Sequence, residues 1–368
     1  MARSLGVTLL VVVLVVTACG GNGTVVAPTT TLGPTTSTSA VVEETPTTPP
    51  ATMTTTTLSL PGLDLAQPQV WYAPNMGSVD FSRLFSQPEL WEKARERIDV
   101  FQFYGNTVSG FPYDIGGDNV LDAFVDVAAF ERLHHWGIAV ALELGVIKFF
   151  ACEPESWVEY ADLTISNIEA NGGRVSFVAM DEPLLGGRLV ENGQTCGYSI
   201  EESAQVVADY FRKVKEAHPD VAIGTIETIP PQTAEEVGQW IVALEKAGAV
   251  PAFLHLDVEV SLGVEDPGFV AALGQLRDFS EERGIPFGLI LTADWERADS
   301  ERGYYDSVMQ WASSIAERLG RPTHVVFQSW IGPAESGLHE LPVNLPEDDP
   351  NVYSHTRLIL DGLGLLDG

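Results

Sequence analysis

Apolar residues recur along this chain in two alternating patterns. Eight short runs rich in Val, Ile, Leu and aromatic residues have the length and composition of strands buried on both faces. Between them lie segments whose apolar residues are three or four positions apart, the spacing of a helix with one buried face. The predicted strands are residues 69–75, 100–105, 139–146, 175–182, 221–228, 253–260, 287–295 and 324–330, and the predicted helices are 88–98, 119–136, 154–170, 199–217, 233–247, 266–283, 304–319 and 353–363.

The ends of the predicted helices carry capping signals. Ser199 with Glu202, and Thr233 with Glu236, have the spacing of capping boxes, and Asp266 precedes a proline at the first helical position. Glycines follow the predicted helices at positions where a left-handed residue ends a helix. These glycines are Gly137, Gly172, Gly248, Gly284 and Gly320.

A strand followed by a helix, repeated eight times over about 300 residues, is the pattern of a (β/α)8 TIM barrel. An open doubly wound sheet is the alternative. Such sheets carry a glycine-rich phosphate turn after the first strand, whereas Trp71-Tyr-Ala-Pro-Asn75 has no GxGxxG. The sequence therefore favours one closed barrel.

The first 61 residues have a different composition from the rest. Residues 1–18 combine Arg3, an apolar stretch and a small-residue site before Cys19, which indicates a secretory signal peptide. This ending resembles the lipobox of bacterial lipoproteins, and the resemblance implies lipidation of Cys19 and a membrane anchor outside the cytoplasm. Residues 19–61 are rich in Thr, Pro and Ser and predict a disordered linker, leaving residues 62–368 as the catalytic barrel domain.

The net charge restricts the classes of molecule that the protein can bind, and the cysteine content predicts a disulfide. The formal net charge is −31 at pH 7, so nucleic acid is excluded as a partner because its binding needs a positive surface. Cys152 and Cys196 follow the third and fourth predicted strands, and in an exported protein we expect them to form a disulfide. We expect a monomer that uses no cofactor.

Acidic residues gather at the predicted carboxyl ends of the strands. In a barrel alternate strand residues point inward, and the others face the helices and must be apolar. On this rule Gln102 and Tyr104 of the second strand point inward, and Thr292 and Asp294 do so in the seventh. The inward acids form a predicted ring made of Glu143, Glu182, Glu227, Asp257, Glu259 and Asp294, and we place Glu182 on the inward parity of Ser176, Val178 and Met180. Clustered carboxylates raise one another's pKa, which indicates a functional site.

Aromatic and amide side chains accompany these acids. Trp71, Tyr104 and Trp330 are predicted at the same mouth, together with Gln328. Aromatic faces pack on the C–H face of a sugar while acids and amides bind its hydroxyls, so the sequence suggests a carbohydrate substrate. His255 and His324 are predicted to be buried, hydrogen-bonded residues of the barrel interior.

The residues ending the fourth and eighth strands carry a resemblance. The chain resembles the retaining glycoside hydrolases built on (β/α)8 barrels, in which an acid/base glutamate ends strand four and a tryptophan closes strand eight; Glu182 and Trp330 match by position. The resemblance implies a nucleophile at the end of strand seven, which here is Asp294 or Glu296. The residue before Glu182 is Asp181 instead of an amide, and an Asp-Glu pair resembles the hexosaminidases that use substrate assistance.

Two other functions remain open from the sequence. The acids could hold a divalent metal in an isomerase or lyase. The chain could instead be a carbohydrate-binding lipoprotein without catalytic activity. The favoured hypothesis is a surface-anchored glycosidase acting on a neutral or N-acetylated saccharide.

Overall fold

The computed structural model describes residues 63–75, 78–110, 121–191, 193–258, 266–294, 298, 300–329 and 343–368. Eight parallel strands form a closed barrel in the order β1-β2-β3-β4-β5-β6-β7-β8, which confirms the predicted fold. The strands are β1 Gln69–Ala73, β2 Val100–Tyr104, β3 Ala139–Gly145, β4 Val175–Asp181, β5 Ala222–Ile229, β6 Leu254–Val258, β7 Phe287–Leu291 and β8 His324–Gln328.

Helices cover the outside of the barrel. They are α1 Arg83–Ser86, α2 Glu92–Arg95, α3 Gly105–Val108, α4 Leu121–Asp126, α5 Ala129–Trp136, α6 Pro154–Ala170, α7 Pro183–Arg188, α8 Ile200–Ala217, α9 Ala234–Ala247, α10 Pro267–Glu281, α11 Glu301–Arg318 and α12 His355–Leu366. Within the described residues, no helix is long and apolar enough to cross a membrane.

The helix ends follow the predicted chemistry. The Ser199 and Thr233 side chains accept from the backbone of Glu202 and Glu236, and both reciprocal capping bonds form. All five predicted stop glycines have positive φ. The predicted helix 119–136 is interrupted because Ala128 takes a left-handed conformation with φ of 52°, and this separates α4 from α5.

Two apolar layers hold the barrel together. The larger layer packs the outward faces of the strands against the helices. The inner layer fills the barrel interior and consists of Trp71, Val100, Ala139, Ala141, Phe177, Ala179, Ile226, Phe253, Ile290 and Val326. The alternation between the two layers fixes which residues of each strand face inward.

The histidine prediction is confirmed, whereas the placement of Trp71 at the mouth is wrong. His255 and His324 are both fully buried, and their Nε2 and Nδ1 atoms are 2.9 Å apart. Trp71 is also fully buried and packs on Phe177, Phe253 and both histidines. A tryptophan early in β1 fills the interior below the mouth, so it is a core residue.

We predict that Trp71→Ala lowers the free energy of unfolding by about 3–5 kcal/mol, because the truncation leaves a cavity inside the barrel. Urea unfolding followed by circular dichroism measures this loss. Phe150→Ala is the control, since Phe150 is 47% exposed and its removal should change stability by about 0.5 kcal/mol or less. A Trp71→Ala protein of unchanged stability would contradict the assignment of Trp71 to the core.

Candidate active site

Three strands bring carboxylates to the mouth at their carboxyl ends. Glu143 in β3 and Asp257 in β6 lie on the inward faces of their strands, as predicted, and both are partly buried. Asp181 ends β4 and pairs in register with the inward residue Ile226, so it also points inward. Glu182 follows at once. The closed sheet therefore gathers four acids around one opening.

The predicted inward parity of β4 is wrong. Val178 and Met180 pack in the outer layer against the helices, whereas Phe177 and Ala179 belong to the interior. The register between β3 and β4 shifts at Val140, where the pairing moves from Val175 to Phe177. Asp181 is consequently the inward residue at the end of β4.

Glu182 reaches the acidic cluster through its backbone conformation. With φ of 48° and ψ of 48° it is left-handed, a conformation that costs a non-glycine residue about 1 kcal/mol or more. Its N–H donates to the carbonyl of Ile226 at 3.1 Å, and its own carbonyl accepts from Gly186 at 2.9 Å at the start of α7. The turn ends the strand and fixes where the Glu182 side chain begins.

The environment of Glu182 suits an acid that keeps its proton. Burial is the largest effect and raises the pKa of Glu182 to about 8, with further increases from the nearby charges of Asp181 and Asp257. Lys148 acts in the opposite direction. A carboxyl with this pKa is protonated at neutral pH and can donate a proton to a leaving group.

Glu143 is held by two amides at the base of the site. Gln102 Nε2 and Gln328 Nε2 donate to the same oxygen, Glu143 Oε2, at 2.7 and 2.9 Å. Burial, followed by the charge of Asp181, raises the pKa of Glu143 well above its usual range. Tyr104 pairs in register with Glu143, and burial together with that carboxyl raises the Tyr104 pKa. Gln328 and Tyr104 thus lie on the inward side of their strands, as predicted, and the structure places both beside Glu143.

Lys148 is a member of the site that the sequence analysis did not identify. Its Nζ lies 2.6 Å from Asp181 Oδ2, and the two side chains are 22% and 33% exposed. Lys148 follows β3 in the loop that leads to α6, outside any strand, so the inward-facing rule could not select it. One available signal was its place beside a strand end in a chain with 20 basic and 51 acidic residues.

The predicted disulfide is present and links two loops at this mouth. The Cys152 and Cys196 Cα atoms are 5.5 Å apart and the sulfurs are bonded. Cys152 lies in the loop between β3 and α6, and Cys196 in the loop between α7 and α8. The bond joins the loop that carries Lys148 to the segment that follows Glu182.

The placement of Glu227 in the predicted ring is wrong. Ile226 faces the interior while Ile223 and Ile229 face the helices, so Glu227 lies on the outward side of β5. It is fully buried there, and Thr225 Oγ1 donates to Glu227 Oε1 at 2.8 Å. Glu227 Oε2 has no well-formed hydrogen bond, although the Leu184 amide and the Trp240 indole face the carboxyl.

The other predicted site residues fall into two groups. Asp294 lies beyond the end of β7, is 5% exposed, and has its backbone N–H bonded to Ser307 of α11 at 2.9 Å. Its role stays a prediction. Cys19, Glu259, Glu296 and Trp330 lie outside the described residues, as do the proposed signal peptide and linker.

The described residues do not form a metal site. No group of three or more His, Cys, Asp or Glu side chains among them is arranged to hold a metal ion. Lys148 instead supplies the positive charge next to Asp181.

The protein is a (β/α)8 barrel. Its acidic mouth lies at the carboxyl ends of the strands, where such barrels carry their catalytic groups. Comparisons with protein-family models and with curated protein sequences give no match. Solved structures that share the barrel include glycoside hydrolases. A structure of fungal β-1,4-galactanases aligns with a TM-score of 0.50 and 12% identity, covering 79% of this chain and 99% of that chain.

The catalytic core of a xylanase A aligns with a TM-score of 0.50 and 12% identity, covering 82% of this chain and 99% of that chain. A xylanase from Cellvibrio japonicus aligns with a TM-score of 0.49 and 11% identity, covering 83% and 99%. The likeness to the galactanases and to xylanase A, each with a TM-score of 0.50 at 12% identity, concerns the barrel fold alone.

We predict that Glu227→Gln weakens the pH dependence of stability. Burial raises the pKa of Glu227 well above the ordinary 4.5, so the folded protein keeps a proton that the unfolded chain releases. Its contribution to stability therefore falls as the pH rises above 4.5 toward the raised pKa. The free energy of unfolding, measured in urea at pH 5 and pH 8, should fall less in Glu227→Gln than in the natural protein.

Glu227→Ala is the matched control for this prediction. It removes the acceptor for Thr225 and leaves a cavity, so it should lower stability by about 2 kcal/mol or more at both pH values. Equal pH dependence in Glu227→Gln and the natural protein would show that the folded protein does not hold an extra proton at Glu227, which would contradict its raised pKa.

Proposed function

We propose that this protein is a glycoside hydrolase acting on a neutral or N-acetylated saccharide, with Glu182 as the general acid. The observation that carries the proposal is the position of Glu182, a carboxyl with a raised pKa at the carboxyl-terminal mouth, beside Asp181 and Asp257. Two carboxyl groups of different protonation on either side of a scissile bond are the requirement for glycoside hydrolysis.

The proposed reaction divides its steps between these groups. Glu182 donates its proton to the glycosidic oxygen while the bond from that oxygen to the anomeric carbon breaks. Asp257 on β6 supports this step as the opposing carboxylate, since its charge acts on Glu182 from another strand. The positive charge that develops on the sugar ring is stabilised by the carboxylates, and water supplies the hydroxyl of the product and returns the proton.

Asp181 supports a version of the mechanism for N-acetylated sugars. It points inward directly beside the proposed acid, and Lys148 Nζ contacts its carboxylate at 2.6 Å. A carboxylate there could orient an acetamido group so that its carbonyl oxygen attacks the anomeric carbon in place of an enzyme nucleophile. The sequence resemblance to substrate-assisted hexosaminidases supports this version, and the barrel shared with solved glycoside hydrolases supports the broader proposal.

The polar side chains of the site suit an uncharged saccharide. Carboxyl and amide groups from Glu143, Gln102 and Gln328 form a hydrogen-bonding base, with Tyr104 beside them. Sugar hydroxyls can both donate to and accept from such groups. Polyanionic saccharides would meet several carboxylates at close range, so a neutral substrate is favoured.

The protonation of Glu182 gives a direct prediction. Glu182→Gln should lower turnover of an unactivated oligosaccharide by about 10²–10⁴-fold, because amide nitrogen cannot donate the proton, and should spare a 2,4-dinitrophenyl glycoside. In the natural protein the rate should fall above about pH 8, where Glu182 loses its proton, and the variant should lack this decline.

Glu201→Gln is the control for this experiment, since Glu201 is an exposed residue in the first turn of α8. The natural protein is assayed with and without EDTA. Equal losses on both substrates would contradict the assignment of the acid, and loss of natural activity in EDTA would favour metal-dependent chemistry instead.

We also propose that the barrel is displayed outside the bacterial membrane by a lipid anchor at Cys19. The sequence before Cys19 and the disulfide between Cys152 and Cys196 support this location, because disulfides persist in oxidising compartments. Labelled palmitate should enter the protein, and Cys19→Ser should abolish the labelling. Incorporation that survives in Cys19→Ser would place the lipid elsewhere.

A further inference from the structure

A lysine lies within the acidic cluster at the mouth of the barrel. Lys148 Nζ is 2.6 Å from Asp181 Oδ2, and the charges of Asp181, Glu182 and Glu143 all act on it. Burial opposes its charge, but the surrounding acids prevail and raise the pKa of Lys148 above its usual value. Lys148 is therefore a fixed positive charge beside the proposed catalytic carboxyls.

The backbone around Lys148 is held from two sides. Lys148 and Ala151 exchange N–H to carbonyl hydrogen bonds of 3.2 and 2.8 Å, which close a tight loop after β3. The next residue is Cys152, bonded to Cys196 in the loop after α7. These bonds fix the position of the Lys148 backbone. The ammonium group is therefore held close to Asp181.

Close packing against α7 completes this support. A Cβ atom at Gly186 would lie 1.9 Å from the carbonyl oxygen of Ile147 and 3.3 Å from the Cα of Lys148. The glycine lets α7, which begins directly after Glu182, lie against the loop that carries Lys148. The lysine and the proposed acid are thus attached to backbone segments that touch.

We propose that Lys148 is a positioning residue that pairs with Asp181 and orients it beside Glu182, and that the Cys152–Cys196 disulfide holds Lys148 there. The inference rests on the proposed function for its catalytic meaning. The effect of the Lys148 charge on the Glu182 carboxyl can be measured without knowing the substrate.

The charges that face Glu182 set the expected direction of the effect. They come from Asp181 on β4, Asp257 on β6 and Lys148 on the loop after β3, while Glu182 itself raises the pKa of Glu227 on β5. Asp181 and Asp257 disfavour ionisation of Glu182, and Lys148 favours it. Removing Lys148 leaves the acids unopposed, so the pKa of Glu182 must rise further.

The test is a carbon-13 NMR titration of the Glu182 carboxyl in the disulfide-bonded protein, with the signal assigned by its loss in Glu182→Gln. In Lys148→Met the titration midpoint should rise by about one unit or more. Lys148→Arg retains the positive charge and should shift the midpoint far less. The alkaline decline of the hydrolysis rate should move with the midpoint.

A purely structural role for Lys148 predicts a different outcome. It would lower the melting temperature or the rate at every pH and leave the Glu182 midpoint in place, and that result would overturn the proposal. If Lys148→Met does not fold, Lys148→Gln replaces it, since glutamine keeps a polar side chain without the charge.

The disulfide is tested in the same titration. The double variant Cys152→Ala with Cys196→Ala should shift the Glu182 midpoint upward, in the same direction as Lys148→Met, because the released loop no longer holds the charge in place. An unmoved midpoint in the double variant overturns the tethering. A shifted midpoint in a protein without glycosidase activity would refute the proposed function and leave the electrostatic link established.

Discussion

Closure of the parallel sheet is the constraint from which the site follows. Each strand is hydrogen-bonded to a neighbour on both edges, so no strand can rotate or slide without breaking two ladders. The interior is then filled by a layer that contains Trp71, Phe177 and Ile226, and the next inward positions open to the mouth. Glu143, Asp181 and Asp257 occupy those positions and have no other direction in which to point.

The concentration of acids explains the character of the site. Glu143 and Glu182 both have raised pKa values, in each case chiefly through burial and then through the charge of Asp181. Protonated and ionised carboxyls can therefore coexist within one small opening. This arrangement lowers stability at neutral pH, since the folded chain must keep protons that the unfolded chain would release.

Residues outside the strands complete the site, namely Lys148 in the loop after β3 and Glu182 in the left-handed turn after β4. The strands supply three carboxylates, while the proposed acid and its positive neighbour come from residues just outside them. The disulfide joins the two loops concerned. The galactanase and xylanase A structures share the barrel fold at 12% identity. The chemistry of the mouth depends on loop residues, which can differ between proteins of the same fold.

The sequence by itself determined the eight-fold alternation, the capped helix ends and the inward position of Glu143 and Asp257, because each depends on local spacing. It also predicted the disulfide, because Cys152 and Cys196 follow successive strands of the barrel. It could not determine the facing of β4 and β5. Val175–Asp181 carries apolar residues on both faces, so its sequence shows no clear alternation. A register shift beside β3 places Asp181 inward. The facing of Glu227 was predicted wrongly because β5 is also apolar on both faces. The ion pair between Lys148 and Asp181 could not be predicted because the loop after β3 and the end of β4 come together only when the barrel closes.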